Sequence, residues 1–326
     1  MALNYKIFEP EAVVDTSAYK IGARTIKDPR DHGLLTMEEV LIKSSNTGIS
    51  KIALEIDPCD LFTFFNSLGF GQVTSSGFPG EASGTLDYQC SRWREGMIAS
   101  LSYGYNVDIS LIQLAGAYAA LANGGIRKPI TLKKIEDEKL DGDRVLSEKT
   151  SNEILSMLEN VAIRGAPRAK INGYRIGGKT GTAQIAAENY SSDKHNALFV
   201  GVAPLTKPKI AIAVIVNEPG GKEYYGGRAP RWAFCCPSPS VFDSSCYSVV
   251  CMLYTFSARR FRASRRIEIE PTKLKSVVVV VVSSCYRSSR NSSAVEVTTY
   301  TTVCGIVVVV VIIIIIITPV ISYVCN

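Results

Sequence analysis

The fold turns on the stretch Tyr174-Arg175-Ile176-Gly177-Gly178-Lys179-Thr180-Gly181-Thr182. Its lead-in has strand character, and two β-branched apolar runs follow it, Ala197 to Ala203 and Lys209 to Asn217. Between those runs stands Pro204-Leu205-Thr206-Lys207-Pro208, a short proline-containing turn of the kind that closes a hairpin. An antiparallel sheet is expected here, with Lys179-Thr180-Gly181-Thr182 as a charged loop on its edge.

Upstream the pattern is mostly helical. Thr36-Met37-Glu38-Glu39 is a capping box, because the Thr hydroxyl and the Glu carboxylate can satisfy the first free amides of a helix. That helix runs to Lys43, breaks at Ser44-Ser45-Asn46-Thr47-Gly48, and resumes through Ile49, Ile52, Ala53 and Ile56 at helical spacing. Leu61 to Leu68 predicts a further helix ended by Gly69, followed by a glycine-punctuated loop to Glu81. Another helix is expected near Trp93 to Ala99. Ser110-Leu111-Ile112-Gln113 is a second capping box, opening an alanine-rich helix whose small residues suit close packing in the interior. Ser147 to Val161 is amphipathic, with Ile154, Leu155, Leu158 and Val161 on one face. Val13 to Asp28 reads as short strands and turns. The fold class is therefore α/β, with helices packed on an antiparallel sheet.

Composition divides the 326 residues in two. At 46% hydrophobic content the chain can fill a sizeable core. Up to about Trp232 the charges are mixed and the only cysteines are Cys59 and Cys90. Beyond it lie the other cysteines, an arginine cluster (Arg259, Arg260, Arg262, Arg265, Arg266), and the homopolymeric blocks Val277 to Val282 and Val307 to Ile317. The expected organisation is one domain over 1–230 and a low-complexity, unstructured tail over 231–326. The net charge of +6 carries no nucleic-acid signal, because the arginines cluster in the tail and no basic stripe interleaved with aromatics occurs. The tail cysteines lack zinc-ligand spacing, and no motif calls for a metal or a cofactor. No signal peptide or N-terminal anchor is read after Met1. The segment 303–325 approaches the ~20 residues that span a bilayer. Thr318-Pro319 and Ser322 interrupt it, so simple repeats are the preferred account of these blocks.

The chemistry lies in short polar motifs. In S-x-x-K, one helical turn brings a lysine amine to a serine hydroxyl so that the amine can take its proton. Ser17-Ala18-Tyr19-Lys20 and Ser191-Ser192-Asp193-Lys194 match, but both have loop-like surroundings and are read as surface loops. Ser44-Ser45-Asn46 alone is an ordinary cap and turn. Set against Lys179-Thr180-Gly181-Thr182, it suits acyl transfer on a substrate that carries a carboxylate. The lysine ammonium and threonine hydroxyls can bind that carboxylate, and Gly181 lets a substrate lie against the strand backbone. The Asn46 amide can hold a peptide carbonyl, and a serine beside the lysine can pass a proton to a leaving nitrogen.

At these residues the chain resembles the transpeptidase domain of penicillin-binding proteins, most of all the class B cell-division type. The resemblance covers Ala2 to Gly227. It rests on Asp15-Thr16 through Ile26-Lys27-Asp28, Lys43-Ser44-Ser45-Asn46-Thr47-Gly48, Gly69-Phe70-Gly71 through Pro79-Gly80-Glu81, Ser102-Tyr103-Gly104-Tyr105, Gly178-Lys179-Thr180-Gly181-Thr182-Ala183, and Tyr224-Tyr225-Gly226-Gly227. It implies the fold shared with serine β-lactamases and a peptidoglycan stem peptide ending in D-Ala-D-Ala as substrate. It further implies β-lactams as ligands, division-complex proteins as partners, no cofactor, and a place at the bacterial inner membrane with the domain facing the periplasm or cell exterior. Ser44 then looks like the proton-relay serine, Asn46 the binder of a substrate amide, and Lys179 with Thr180 the carboxylate site. Thr182 would add its hydroxyl to that site and its backbone amide to an oxyanion hole.

The family pattern also requires an S-x-x-K whose serine is acylated, at the start of a buried helix upstream of the elbow. By the resemblance Ser17 falls in the loop after that helix, so no nucleophile is expected in this chain. Past Gly227 the family continues into an Ala-Ala-Pro-Val-like segment, whereas this chain reads Arg228-Ala229-Pro230-Arg231-Trp232. Read from the third base of each codon, Ala229 to Trp232 return small residues and then Val, Leu or Met, which points to a frameshift near Arg228. Three classes follow: an inactive fragment of a D,D-transpeptidase, a non-catalytic relative that binds peptidoglycan peptides or division partners, and, less favoured, a serine β-lactamase, for which no deacylating base is marked.

Overall fold

Most of the α-helices begin at a residue whose side chain caps them. The computed structural model describes residues 1–77, 81–131, 141–165, 173–184, 195–217, 276–283, 301–303 and 306–313. Near the N-terminus, β1 (Val13–Asp15) pairs antiparallel with β4 (Leu34–Thr36), and β2 (Tyr19–Ile21) with β3 (Arg24–Ile26). Thr36 then caps α1 (Met37–Lys43). Its hydroxyl accepts from the Glu39 amide at 3.3 Å, and the Glu39 carboxylate accepts from the Thr36 amide at 3.0 Å. After α1 come α2 (Asn46–Leu54) and α3 (Pro58–Ser67), the latter capped by Asp57. Next are α4 (Glu95–Ser102), α5 (Leu111–Ala122) with the expected Ser110–Gln113 box, and α6 (Glu148–Asn160), which runs into a π-helical turn at Val161–Gly165. Between α5 and α6, β5 (Ile126–Arg127) pairs with β6 (Asp143–Arg144).

The main sheet is built from β7 (Gly177–Gln184), β8 (His195–Ala203) and β9 (Ile210–Asn217), consecutive and antiparallel. The expected hairpin is the β8–β9 pair, with a cis Ala203–Pro204 peptide in its turn. One expectation is corrected. Lys179-Thr180-Gly181-Thr182 is not a loop beside the sheet but lies inside β7, the strand at the sheet's end. An edge strand needs partners on one side only, so it can be built from Gly, Lys and Thr without the alternation of a buried strand.

Beyond β9 the sheet continues through β10 (Ser276–Ser283), β12 (Ile306–Ile313) and β11 (Thr301–Val303). These strands come from the tail, and β-branched runs favour the extended backbone. The described strands of the low-complexity tail prolong the domain's sheet. Phe78 to Gly80, Ser191 to Lys194, Tyr224 to Gly227 and the junction at Arg228 lie outside the described residues.

Helix α5 is the central buried helix its composition predicts. Ala115, Ala119 and Ala122 meet Val200, Val202, Ala211 and Ala213 of the sheet, together with Ile130 and Leu155. Gln113, 1% exposed, crosses from this helix to the glycine-punctuated loop. Its Nε2 donates to the carbonyls of Gly69 (3.1 Å), Gln72 (2.7 Å) and Ser83 (2.7 Å). Carbonyls buried away from any ladder need such a donor. The same region is stapled by a disulfide between Cys59 and Cys90, which lie 31 residues apart. Closing a loop of that size stabilises a fold by roughly 3 to 4 kcal/mol in the chain-entropy account.

Candidate active site

The elbow between α1 and α2 is held by hydrogen bonds on both flanks. Ser44 ends α1 in a left-handed conformation (φ 54°, ψ 47°), its amide donating back to the Leu41 and Val40 carbonyls. A side-chain-bearing residue in this region carries a strain of about 1 kcal/mol or more, which its surroundings must hold in place. Ser45 caps α2, its hydroxyl accepting from the Gly48 amide at 2.9 Å. Around this cap Thr16, Ser45, Thr47 and Ser50 are each no more than 2% exposed, a buried polar cluster whose groups bond to one another. The Thr47 hydroxyl reaches the Thr16 carbonyl at 2.8 Å, and the Ser50 hydroxyl donates to the Thr47 carbonyl and accepts from Tyr19 at 2.7 Å.

Gly48 sets how closely α1 and α2 approach. A Cβ there would lie 2.7 Å from a methyl of Val40, a stiff and buried side chain, and 3.1 Å from the capping hydroxyl of Ser45. Gly48→Ala is expected to cost about 1 to 3 kcal/mol, as overpacking does. Thermal unfolding measures it, and an unchanged midpoint would show that the elbow has slack.

Strand β7 supplies the opposite wall. Its entry is pinned to α6 by Arg175, whose guanidinium donates to both Glu159 carboxylate oxygens at 2.7 and 2.6 Å. Gly178 packs under the sheet, where a Cβ would stand 2.6 Å from the Phe199 ring. At Gly181 a Cβ would meet nothing nearer than Leu198 at 3.6 Å, so internal packing does not demand glycine there. Lys179 pairs with Val200 and Thr180 with Phe199 on β8. Successive strand residues face opposite sides, so Lys179 and Gly181 share one face and Thr180 and Thr182 the other. A ligand that meets all four must therefore lie along the strand's open edge.

Elbow and strand meet at one contact. Lys179 Nζ donates to Ser44 Oγ at 2.5 Å and to the Thr180 carbonyl at 2.8 Å. Burial pushes the Lys179 ammonium down from 10.5 to about 8. Two polar segments 135 residues apart in sequence thus share one half-buried lysine. Asn46 stands in the first turn of α2, beside Ser44 and half-buried. The structure brings Ser44 and Lys179 into contact, with Asn46 two residues past Ser44 and Thr180, Gly181 and Thr182 following Lys179 along β7.

It does not bring Ser17 there as a helical nucleophile. Ser17 lies in the link between β1 and β2, and its hydroxyl donates to Asp15 at 2.6 Å. The Asp15 carboxyl is held well below the usual range, by the Ser17 hydrogen bonds first and by Lys51 at 3.0 Å after them. The sequence reading names Asp28 only within Ile26-Lys27-Asp28 and does not foresee its contacts with the elbow. Its carboxylate accepts from Ser45, Asn46 and Thr47, and a single acidic residue before Pro29 gives no local signal of that.

A family profile described as "Penicillin binding protein transpeptidase domain" matches residues 1–234, and the chain belongs to that family, in its class B type. It is 37% identical over 229 residues to the peptidoglycan D,D-transpeptidase FtsI of Escherichia coli K12, covering 69% of this chain and 39% of that protein. It is 35% identical over 217 residues to the probable peptidoglycan D,D-transpeptidase PenA of Neisseria meningitidis serogroup A, covering 66% and 37%. The chain spans about two fifths of the length of these curated relatives. Among solved structures it is similar to the apo transpeptidase domain of penicillin-binding protein 3 from Burkholderia pseudomallei. That likeness has a TM-score of 0.67 at 38% identity and covers 71% of this chain and 72% of that one. The penicillin-binding-protein transpeptidase fold, helices on an antiparallel sheet, is thus the fold of this chain.

Proposed function

We propose that this chain forms the carboxylate-binding side of the active site of a cell-division peptidoglycan D,D-transpeptidase. The observation that carries this reading is the 2.5 Å contact between Lys179 on the open sheet edge and Ser44 on the strained elbow. A stem peptide ending in D-Ala-D-Ala, or a β-lactam in its place, lies along β7. Lys179 and the Thr180 hydroxyl take its carboxylate, Gly181 leaves room for its backbone, and the Asn46 amide holds a peptide carbonyl. Thr182 adds its hydroxyl and offers its backbone amide to a developing oxyanion. Ser44 passes a proton between Lys179 and the leaving nitrogen.

The Cys59–Cys90 disulfide supports a site of action outside the cytoplasm, at the outer face of the inner membrane, because such bonds persist in oxidising compartments. Among the described residues no helix is long and apolar enough to cross a membrane. The chain as it stands is read as binding without turnover, because Ser17 sits in a loop with its hydroxyl on Asp15. An in-frame Ser-x-x-Lys in the DNA upstream of Met1 makes it a fragment of an enzyme. An unrelated upstream reading makes it a non-catalytic relative that binds peptidoglycan peptides or division-complex proteins. The frameshift near Arg228 is tested in the same DNA, by the family's helix appearing in a shifted frame.

Calorimetric titration with an acyl-D-Ala-D-Ala peptide tests the site itself. The free carboxylate should bind and its carboxamide should not. Lys179→Met should weaken binding about 10- to 100-fold, the value of one charge-assisted hydrogen bond. Equal binding of acid and amide would sink the assignment.

A further inference from the structure

The Asp28 carboxylate sits just after β3, and both its oxygens are spent on the elbow. Oδ1 accepts from the backbone amides of Asn46 at 2.6 Å and Thr47 at 3.2 Å. Oδ2 accepts from the Ser45 hydroxyl at 2.5 Å, and it shares the Thr47 hydroxyl proton, at 2.7 Å, with the Thr16 carbonyl. Three consecutive residues are gripped by one side chain that lies 17 to 19 positions earlier in the chain. The amides it takes belong to the first turn of α2, where a negative charge also suits the helix dipole. The gripped residues follow Ser44 directly, and Ser44 is the strained one, at φ 54°. Left-handed strain at a residue of this kind persists only where neighbours over-determine it. On one side α1 holds the Ser44 amide, and on the other Asp28 holds everything that follows.

We propose that Asp28 is a positioning residue of the acyl-transfer cleft: by fixing Ser45, Asn46 and Thr47 it aims Ser44 Oγ at Lys179 Nζ and sets Asn46 at the cleft. The proposal rests on the cleft assigned above. Its test needs no ligand, however, so it can fail while the carboxylate site stands, or hold while peptide binding fails. Asp28 touches neither Lys179 nor any reacting atom in the contacts described; it acts through the backbone it holds.

The experiment follows the Lys179 side-chain carbon resonance through a pH titration of the whole chain carrying ¹³C-lysine, the signal being assigned with Lys179→Arg. In the parent the midpoint should fall near 8. Asp28→Ala should raise it by a unit or more, as the elbow swings off and water reaches the amine. Asp28→Asn, which keeps one oxygen for the two amides, should raise it by a smaller, measurable amount. The sign separates the causes, because merely deleting a nearby negative charge would lower a lysine midpoint. A residue needed only for stability would lower the melting temperature and leave the midpoint near 8. An unmoved or lowered midpoint in folded Asp28→Ala overturns the proposal. If that variant does not fold, Asp28→Asn decides in the same way.

Discussion

A fluorescent penicillin is expected to leave this chain unlabelled. Acylation needs a serine whose proton a neighbouring base removes, on an element that presents it to the β-lactam carbonyl. Ser17 satisfies neither condition, since its hydroxyl donates to Asp15 in a link between two short strands. Removing the nucleophile from a serine hydrolase costs on the order of 10⁶ in turnover, so labelling should not exceed the non-enzymatic background. The rival on the described surface is Ser44, because a half-buried lysine, its ammonium pushed down to about 8 by desolvation, lies 2.5 Å from its hydroxyl. In-gel fluorescence makes the measurement, and mass mapping of any modified peptide would name the serine. A stoichiometric adduct at any position would end the claim that the chain binds without turning over.

The second large effect is a pH dependence that runs in opposite directions for binding and for stability. On the proposed reading Lys179 holds a carboxylate as an ammonium, so affinity for an acyl-D-Ala-D-Ala peptide should be level below pH 7. It should then fall about tenfold per pH unit above 8, where the free site loses its proton. Stability moves the other way. The folded value lies below the unfolded one, so between them the unfolded chain binds more protons and stability rises with pH. The penalty of burying the charge is fully present below about 8 and is relieved on approaching 10.5. It amounts to roughly 3 kcal/mol. Calorimetry and urea unfolding over pH 6 to 10, with Lys179→Met as the reference, test both arms. Affinity that stays level to pH 10 would show that Lys179 does not hold the carboxylate.

What the sequence made legible follows how local each signal is. The boxes at Thr36 and Ser110 lie within four residues of what they cap, so spacing alone announces α1 and α5. The β8–β9 hairpin announces itself through two β-branched runs and the prolines between them. Strand β7 did not, because glycines, a lysine and threonines on an edge resemble a loop in one dimension. Its pairing with β8 becomes visible only in space. The pairing of Ser44 with Lys179 was legible as two polar segments of complementary chemistry, and the structure closed the gap to a hydrogen bond. The hold of Asp28 on the elbow was not legible, because its partners begin 17 residues downstream with a helix boundary between. The disulfide was silent for the same reason, its cysteines being 31 residues apart.

The two sides of the main sheet differ in how much information they hold. Along β7 and β8 residue types are mixed, and Gly178 sits where the Phe199 ring leaves no room for a side chain. Sliding β7 by a single place would move Lys179 away from Ser44 and put a side chain where only hydrogen fits. At the far side, β10 is six valines between serines, paired with the apolar run of β9. A slip there exchanges valine for valine, so many alignments are nearly equal in energy and none is singled out by sequence. Register is thus fixed by sequence along β7 and left open along β10.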